Sequence, residues 1–535
     1  MKALAQSGGR RQPKARSGCW TCKKRKVKCS EEKPWGDEQS AGSPDQSQAS
    51  NIDPFSASHL GKPVHFVHFT VRDFQSDLET TKEVLIDDEE GWRSSDAGSR
   101  ESLGSGSPLS SPSSMTLSLW EEPSWFPPLD LSSRYDELLF AYYALEICPR
   151  CTMYDDSSNG FRTIVIPMSA NHPSVMHAIL AVAAFYRRHE DPAYHVRALE
   201  QKERALIHLR KSYPDDPERR HEEMIAAAIM LCVFEIKDGS GPNWNKHLHG
   251  GRSILRSKVQ ENQIWSQGIA WWANKFFGYQ CVNGAASDDV ANSSVFASAA
   301  FWLSQGLDVQ EIDGFMGCSS ELMALTSEMS SLAQSRHMPW ADEEYMTAIS
   351  YDLERRLFDL KQRSRHASVS ISEDANLTEA VDACLSCCET SVRAKMLILT
   401  AEARRQAAFV FLYTCVRGLP VTHAAVQSRV VRALLCTTTV SNLMDAGGSP
   451  TWGMTPVIWP LFVAGAAAMV EEDRFRVLEI FSILKSTKCL GNVSRAEDVV
   501  TSMWKQHDVV TSSQDQPYLS RLFLEPNEKW PLSLG

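Results

Sequence analysis

From about Leu131 onward, apolar residues recur along this 535-residue chain at the spacing of amphipathic helices. The clearest stripe consists of Val175, Ile179, Val182 and Phe185. Pro173 precedes it, where the first turn of a helix tolerates proline, and similar stripes run through residues 224–234 and 407–414. Sustained period-two alternation, which marks strands, does not occur there. The pattern therefore predicts an all-α fold, with a large antiparallel helical domain over residues 126–535.

The longest apolar segment, Pro456 to Val470, has only fifteen residues and contains Pro460. Because a membrane-spanning helix needs about 20 apolar residues, we predict a buried helix here and expect no membrane association. The fourteen cysteines follow no repeating framework, and the N-terminal residues lack the apolar stretch of a signal peptide. Both features favour reduced thiols in the nucleus or the cytosol.

A polar region, residues 36–125, precedes the helical part. Its last part, Arg93 to Ser118, contains eleven serines with Gly and Pro and almost no large apolar side chains. Such a composition buries too little apolar surface to offset the entropy of ordering, so we expect a disordered linker. One apolar segment interrupts it at residues 64–71 and is a predicted strand or docking segment. No heptad run indicates a coiled coil.

Charge is distributed unevenly along the chain. Residues 1–33 carry eleven Lys or Arg against two acids, whereas the whole chain has a net charge of −11. A basic arm on an acidic body is typical of nucleic-acid binding. Two clusters in this arm have the layout of a bipartite nuclear-import signal. They are Arg10 and Arg11, followed by Lys23, Lys24, Arg25 and Lys26. We therefore expect the protein in the nucleus.

Three cysteines in the basic arm have the spacing of metal ligands. Two residues separate Cys19 from Cys22, and Cys29 follows after six residues that are nearly all Lys or Arg. Thiolates at this spacing bind Zn²⁺, which replaces a core too small to form and holds a short basic helix against DNA. A structural zinc site needs a fourth ligand. The candidates are His59, His65 and His68. The alternative is that these histidines are unrelated linker residues.

The segment from Cys19 to Pro34 resembles the first half of the fungal binuclear zinc cluster. In that family six cysteines hold two zinc ions and share two thiolates between the metals. The resemblance implies further cysteines near positions 36, 39 and 46, but Gly36, Gln39 and Gln46 stand there. We interpret residues 1–35 as a truncated zinc-cluster motif. Its abrupt end suggests a mis-joined or alternatively joined exon.

The resemblance also implies roles for the basic residues between the cysteines. By position, Lys26 matches the lysine that reads a CGG-type triplet in the major groove. Lys23, Arg25 and Lys28 match residues that mostly contact phosphates or support the helix. The resemblance thus implies zinc as the cofactor and, for a complete cluster, DNA with CGG-type sites as a partner.

The helical part resembles the fungal-specific transcription-factor regulatory domain that follows zinc clusters in many fungal regulators. Among the matching stretches are His172 to Leu180, His247 to Gly251, Ala401 to Arg404, Trp459 to Gly465 and Gly491 to Asn492. The resemblance implies an all-helical module that modulates activity and binds co-regulators or the transcription machinery. It leaves homodimerisation open and implies no catalysis.

Three short motifs in the helical part have spacings that also occur in enzymes or metal sites. Residues 247–251 place two histidines before two glycines, and Cys148 to Cys151 and Cys384 to Cys388 hold closely spaced thiols. No Gly-x-Ser-x-Gly elbow, His-Glu-x-x-His motif or phosphate loop accompanies them. We interpret the first motif as a glycine turn between two helices and the cysteines as ordinary thiols. We expect no enzyme.

Two functions from different classes fit these observations. The first is a transcription regulator that binds DNA through zinc. The second is a nuclear interaction or effector-sensing protein without DNA binding, in which the truncated arm only directs import. If genomic DNA adjoining the codons of Trp35 and Gly36 encodes Cys-x2-Cys-x6-Cys, the gene has the first function.

Overall fold

The computed structural model describes the helical part of the chain. The described residues are 133–212, 217–239, 241, 243–259, 268–284, 298–304, 308–336, 342–367, 371, 376–446, 455–486, 491–509 and 532–534. The predicted zinc-cluster segment 1–35 and linker 36–125, with its apolar segment 64–71, lie outside these residues.

The described residues form sixteen α-helices and one small sheet. The helices are α1 (Arg134–Tyr142), α2 (Ile166–Ser169), α3 (Pro173–Arg187), α4 (Ala193–Ser212), α5 (Pro217–Asp238), α6 (Asn243–Val259), α7 (Gly268–Asn283), α8 (Ala299–Leu303), α9 (Ser320–Ser335), α10 (Glu343–Asp359), α11 (Leu377–Ser386), α12 (Val392–Phe411), α13 (Ala424–Ala446), α14 (Thr455–Ala466), α15 (Glu471–Ser486) and α16 (Gly491–Val509). Strands β1 (Ile312–Asp313) and β2 (Cys318–Ser319) pair antiparallel, with Ile312 opposite Ser319. The predicted all-α fold is confirmed.

Short turns of other helical types extend several of these helices. Tyr143–Ile147 continues α1 as a π-helix, and Cys148–Arg150 follows as a 3₁₀ turn. The π-helices Phe161–Val165 and Leu412–Val416 lead into α2 and out of α12, respectively. The chain therefore stays helical where the hydrogen-bond register changes.

Helices that are neighbours in sequence pack against one another. Helix α3 packs against α4 and α5, α5 against α6 and α7, and α12 against α13 and α14. Helix α12 lies deep in the core, since all but three of its twenty residues are buried. Its first turn is capped by the Ser391 side chain, which accepts a hydrogen bond from the Ala394 amide.

The helix and core predictions are confirmed in detail at α3 and α14. Pro173 is the first residue of α3, and the predicted apolar stripe from Val175 to Phe185 is buried. Residues 456–466 form the buried part of α14, with Pro460 inside the helix. Among the described residues, no helix combines the length and apolar character that a membrane crossing requires.

The predicted glycine turn at residues 247–251 is wrong, because these residues lie inside α6. The glycines serve close packing between helices. A Cβ atom at Gly251 would overlap the ring of Phe277 on α7. The same relationship holds between Gly160 and the indole of Trp272. Gly251 allows α6 and α7 to approach closely. The sequence alone does not distinguish a glycine with this role from a glycine in a turn.

Candidate functional site

The sites predicted for metal, DNA and import fall outside the described residues. They are Cys19, Cys22 and Cys29 for zinc, Lys23, Arg25, Lys26 and Lys28 for DNA, and Arg10, Arg11 and Lys23 to Lys26 for import. The structure therefore neither brings them together nor separates them. Within the described residues, no group of three His, Cys, Asp or Glu side chains is arranged to hold a metal ion.

A buried arginine in the middle of α12 joins three helices. The Nη2 atom of Arg404 donates a hydrogen bond to Oδ1 of Asn283 on α7 at 2.6 Å. Its Nη1 atom donates to the carbonyl oxygen of Pro456 on α14 at 3.0 Å. The guanidinium also lies 5.4 Å from the ring centre of Tyr279 and 5.1 Å from that of Trp459. Neutral oxygens and aromatic faces thus stabilise a charge removed from water.

The neighbouring tyrosine stays neutral in this setting. The Tyr279 hydroxyl accepts a hydrogen bond from Arg404 at 3.4 Å. Burial raises the pKa of Tyr279 to about 12, although the positive charge of Arg404 opposes the rise. Tyr279 is therefore a neutral phenol across the physiological range.

A second polar group lies within two residues of Arg404 on the same helix. Arg405 Nη2 contacts Oε2 of Glu402 at 2.7 Å, and both side chains are almost fully buried. Gln406 Nε2 donates to the other oxygen of Glu402 at 2.7 Å. Arg429 Nη1 on α13 donates to Oε1 of Gln406 at 2.9 Å. This chain of bonds fixes the register between α12 and α13.

A third buried charge, Glu235 on α5, lies beside His247, one of the two histidines in segment 247–251. Lys202 Nζ lies 2.7 Å from Oε1 of Glu235, and Nε2 of His247 lies 4.0 Å from it. Burial alone raises the pKa of Glu235, but His247 and Lys202 outweigh it and lower the pKa to about 2. His247 therefore faces a carboxylate that joins α4, α5 and α6.

The pKa values of the cysteines in the two closely spaced motifs shift in different directions. Burial raises the pKa of both Cys148 and Cys151, the latter to about 12. Burial also raises the pKa of Cys384. By contrast, the pKa of Cys387 is lowered, chiefly by a hydrogen bond that Thr390 Oγ1 donates to its sulfur at 3.2 Å. Cys387 is thus the activated thiol of the second motif.

A narrow cleft beside Glu235 offers no room for a small-molecule effector. It is lined in part by Trp244, Asn492 and Leu532. Its volume is about 10 Å³, roughly the space that one water molecule needs. The Asn492 side chain donates to the carbonyl oxygen of Ser533, so residues 532–534 close this side of the core.

Glu402 and Arg404 lie in a stretch that resembles the family, but the sequence predicted no role for them and none for Asn283 and Tyr279. The feature that could have indicated a role is the presence of Glu402, Arg404 and Arg405 in the middle of a helix that is mostly apolar around them. A surface helix would segregate such residues on a polar face, and α12 has none. The structure shows instead a buried polar centre that connects α7, α12, α13 and α14.

Comparison with known proteins identifies the class of this fold. The family model of the fungal specific transcription factor domain matches residues 137–534, well over half of the chain. The chain belongs to this family, which supports a fungal transcription regulator.

A curated relative agrees with the family. The trichothecene biosynthesis transcription regulator TRI10 of Trichoderma arundinaceum is 23% identical over 394 residues, covering 66% of this chain and 81% of the relative. No solved structure matches the chain.

Proposed function

We propose that this protein regulates transcription in the nucleus, with the helical body as the regulatory module and the basic arm as the contact to DNA. The family match over residues 137–534 carries the proposal. The likeness to a biosynthesis regulator supports it, as does the net charge of +9 on residues 1–33. Base specificity would come from Lys26, and phosphate contacts from Lys23, Arg25 and Lys28.

The cysteines of the arm fit one zinc ion and do not fit two. Cys19, Cys22 and Cys29 supply three thiolates, and a four-coordinate structural zinc needs one more ligand. Bound zinc would supply a rigid frame for the basic helix. We expect at most one zinc per purified full-length chain by elemental analysis. Two tightly held zinc ions would contradict this ligand count.

A second candidate is an interaction protein without DNA binding. The observation in its favour is the loss of the family pattern at Gly36, Gln39 and Gln46. In that case the body would act through co-regulators, and the arm would serve import alone.

Selection from a random DNA pool distinguishes the two candidates. The full-length chain, purified with zinc, should enrich CGG-containing sequences under the first proposal. The variant with Cys19→Ser and Cys22→Ser is the matched control and should enrich nothing. Enrichment of no sequence by the native chain, combined with reporter activation when the chain is tethered to a promoter, would favour the second candidate.

Nuclear import has a separate test. Replacement of Lys23, Lys24, Arg25 and Lys26 by alanine should leave a fluorescent fusion in the cytoplasm. The matched control replaces Lys211, Lys361, Lys505 and Arg355, which are exposed residues of the helical body. Unchanged nuclear accumulation of the first variant would show that the arm does not direct import.

The roles of individual basic residues are tested in a chain in which the second half-cluster is restored, because a complete metal frame would hold the basic helix in a fixed position. There, Lys26→Ala should reduce discrimination between CGG-containing and scrambled DNA by about 1–3 kcal/mol. Lys23→Ala should weaken both DNAs equally and lower the salt slope by about one. An equal loss on both DNAs for Lys26→Ala would show that Lys26 contacts only phosphate.

A further inference from the structure

An exposed apolar stripe runs along α1 and the π-helical turn that continues it. Its members are Tyr135, Leu138, Tyr142 and Leu145, at intervals of three, four and three residues. Tyr135, Leu138 and Leu145 are 59%, 51% and 42% exposed, and Tyr142 is half-buried. Single exposed apolar residues are ordinary, but a contiguous row on one helix marks an interaction surface.

The helix that carries the stripe is held firmly from its other side. Leu139, Phe140 and Tyr143 are fully buried. The buried carboxylate of Asp136 accepts a hydrogen bond from Nε2 of Gln201 on α4 at 3.0 Å. The stripe therefore cannot turn into the core without breaking these contacts. Only residues outside the described core can cover it.

Two arginines border the stripe. Arg197 lies over the ring of Tyr135 at 4.8 Å, and Arg187 lies over the ring of Tyr142 at 5.4 Å. Each also approaches one acid, since Arg187 is 2.8 Å from Glu190 and Arg197 is 3.8 Å from Asp136. A guanidinium has five N–H donors, so both arginines retain donors for a further carboxylate.

The residues just before α1 have a composition that is complementary to the stripe and its two arginines. Residues 117–131 read Leu-Ser-Leu-Trp-Glu-Glu-Pro-Ser-Trp-Phe-Pro-Pro-Leu-Asp-Leu. They contain four leucines, three aromatic residues and three acids, and no Lys or Arg. Such a segment offers apolar side chains for the stripe and carboxylates for the arginines.

Residues 117–131 are also close enough to α1, and numerous enough, to reach the whole stripe. Helix α1 and its π-helical turn comprise nine and five residues, about 20 Å in length. An extended chain covers about 3.3 Å per residue, so roughly six residues suffice to span the stripe. Because the segment is tethered next to Ser133, the cap of α1, its effective concentration is about millimolar.

We propose that residues 117–131 of this chain dock on the stripe of α1, with their aromatic side chains over its apolar residues and their acids towards Arg187 and Arg197. The docking involves neither zinc nor DNA, so it holds or fails independently of the proposed function.

Photo-crosslinking in the full-length chain tests the contact. With p-benzoylphenylalanine in place of Leu138, the crosslink should map to residues 117–131 of the same chain. Replacing Trp120, Trp125 and Phe126 by serine should reduce the yield at least fivefold. The matched control, Val64, Phe66 and Phe69 to serine, should leave it unchanged. A crosslink to another segment, a dimer-sized product or no crosslink would overturn the proposal.

Binding in trans gives a second measurement. The full-length triple-serine variant should bind a labelled peptide of residues 115–133, measured by fluorescence anisotropy. Adding Leu138→Glu should weaken this binding at least tenfold, and the native chain should bind more weakly than the triple variant, because its own segment occupies the stripe. Equal binding by the native chain and the triple variant, or no effect of Leu138→Glu, would overturn it.

Discussion

Arg404 donates a hydrogen bond to the side-chain oxygen of Asn283, 121 residues earlier in the chain, at 2.6 Å. The same guanidinium donates to the carbonyl oxygen of Pro456, 52 residues later. One side chain thus connects three distant parts of the sequence. These acceptors are neutral, so the stability of the buried guanidinium depends on the exact positions of α7 and α14.

Arg404→Met should lower the free energy of unfolding by about 3 kcal/mol, because it leaves Asn283 and Pro456 with buried acceptors that lack donors. Urea unfolding followed by circular dichroism measures the loss. Arg355→Met is the control, since that side chain is 66% exposed, and it should change stability by less than about 0.5 kcal/mol. A loss below about 1 kcal/mol for Arg404→Met would contradict a structural role of this charge.

The Glu402–Arg405 pair should show strong coupling in a double-mutant cycle. Glu402→Gln and Arg405→Met should each cost about 3 kcal/mol, because each leaves a buried charge without its partner. The double variant should cost at least about 1 kcal/mol less than the sum. Additive losses in urea unfolding would show that the two side chains act independently.

Gly251→Ala should destabilise the body by about 1–3 kcal/mol, because the new methyl group overlaps the ring of Phe277 between α6 and α7. Adding Phe277→Leu should recover part of the loss. Gly241→Ala is the matched control, since nothing lies within 4 Å of a Cβ there. Equal melting temperatures for the two glycine variants would refute the packing argument.

Some features of this fold were predictable from the sequence, and others were not. Helical periodicity predicted the buried stripe of α3, and a continuous apolar run predicted the buried helix α14. Both kinds of burial are visible in the spacing and number of apolar residues. The role of Gly251 and the partners of Arg404 were not predictable, since both depend on helices that meet only after folding. No local pattern in α12 specifies Asn283 as an acceptor.

Glu235 should make the body sensitive to acid. Its pKa is lowered in the folded state to about 2 from an ordinary value of 4.5. The stabilisation is therefore present above pH 4.5 and is lost as the pH falls from there towards 2, on the order of 3 kcal/mol in total. The stability difference between the native chain and Glu235→Gln should shrink over this interval. Glu344→Gln, which replaces an exposed residue, is the control. If its stability difference from the native chain shrinks to the same degree, Glu235 is not the cause of the acid sensitivity.

Cys387 should be alkylated faster at pH 7 than other thiols of the described residues. Its lowered pKa increases the reactive thiolate at a given pH. Thr390→Val removes the hydrogen bond to the sulfur and should move the midpoint of the pH–rate profile upward. Mass spectrometry after iodoacetamide treatment measures the rates, and buried Cys415, whose pKa is raised to about 12, is the unreactive control. An unchanged midpoint would rule out Thr390 as the cause.

The position of Arg404 also affects how the body assembles during synthesis. When α12 leaves the ribosome, its arginine already has Asn283 and Tyr279 available, but Pro456 and Trp459 have not yet been made. The guanidinium must therefore stay hydrated until α14 arrives, and contacts of such long sequence separation form slowly. A chain released before residue 456 therefore lacks α14 and the acceptor that Pro456 gives to Arg404. The packing around the buried helix α12 is completed only after α14 has been made.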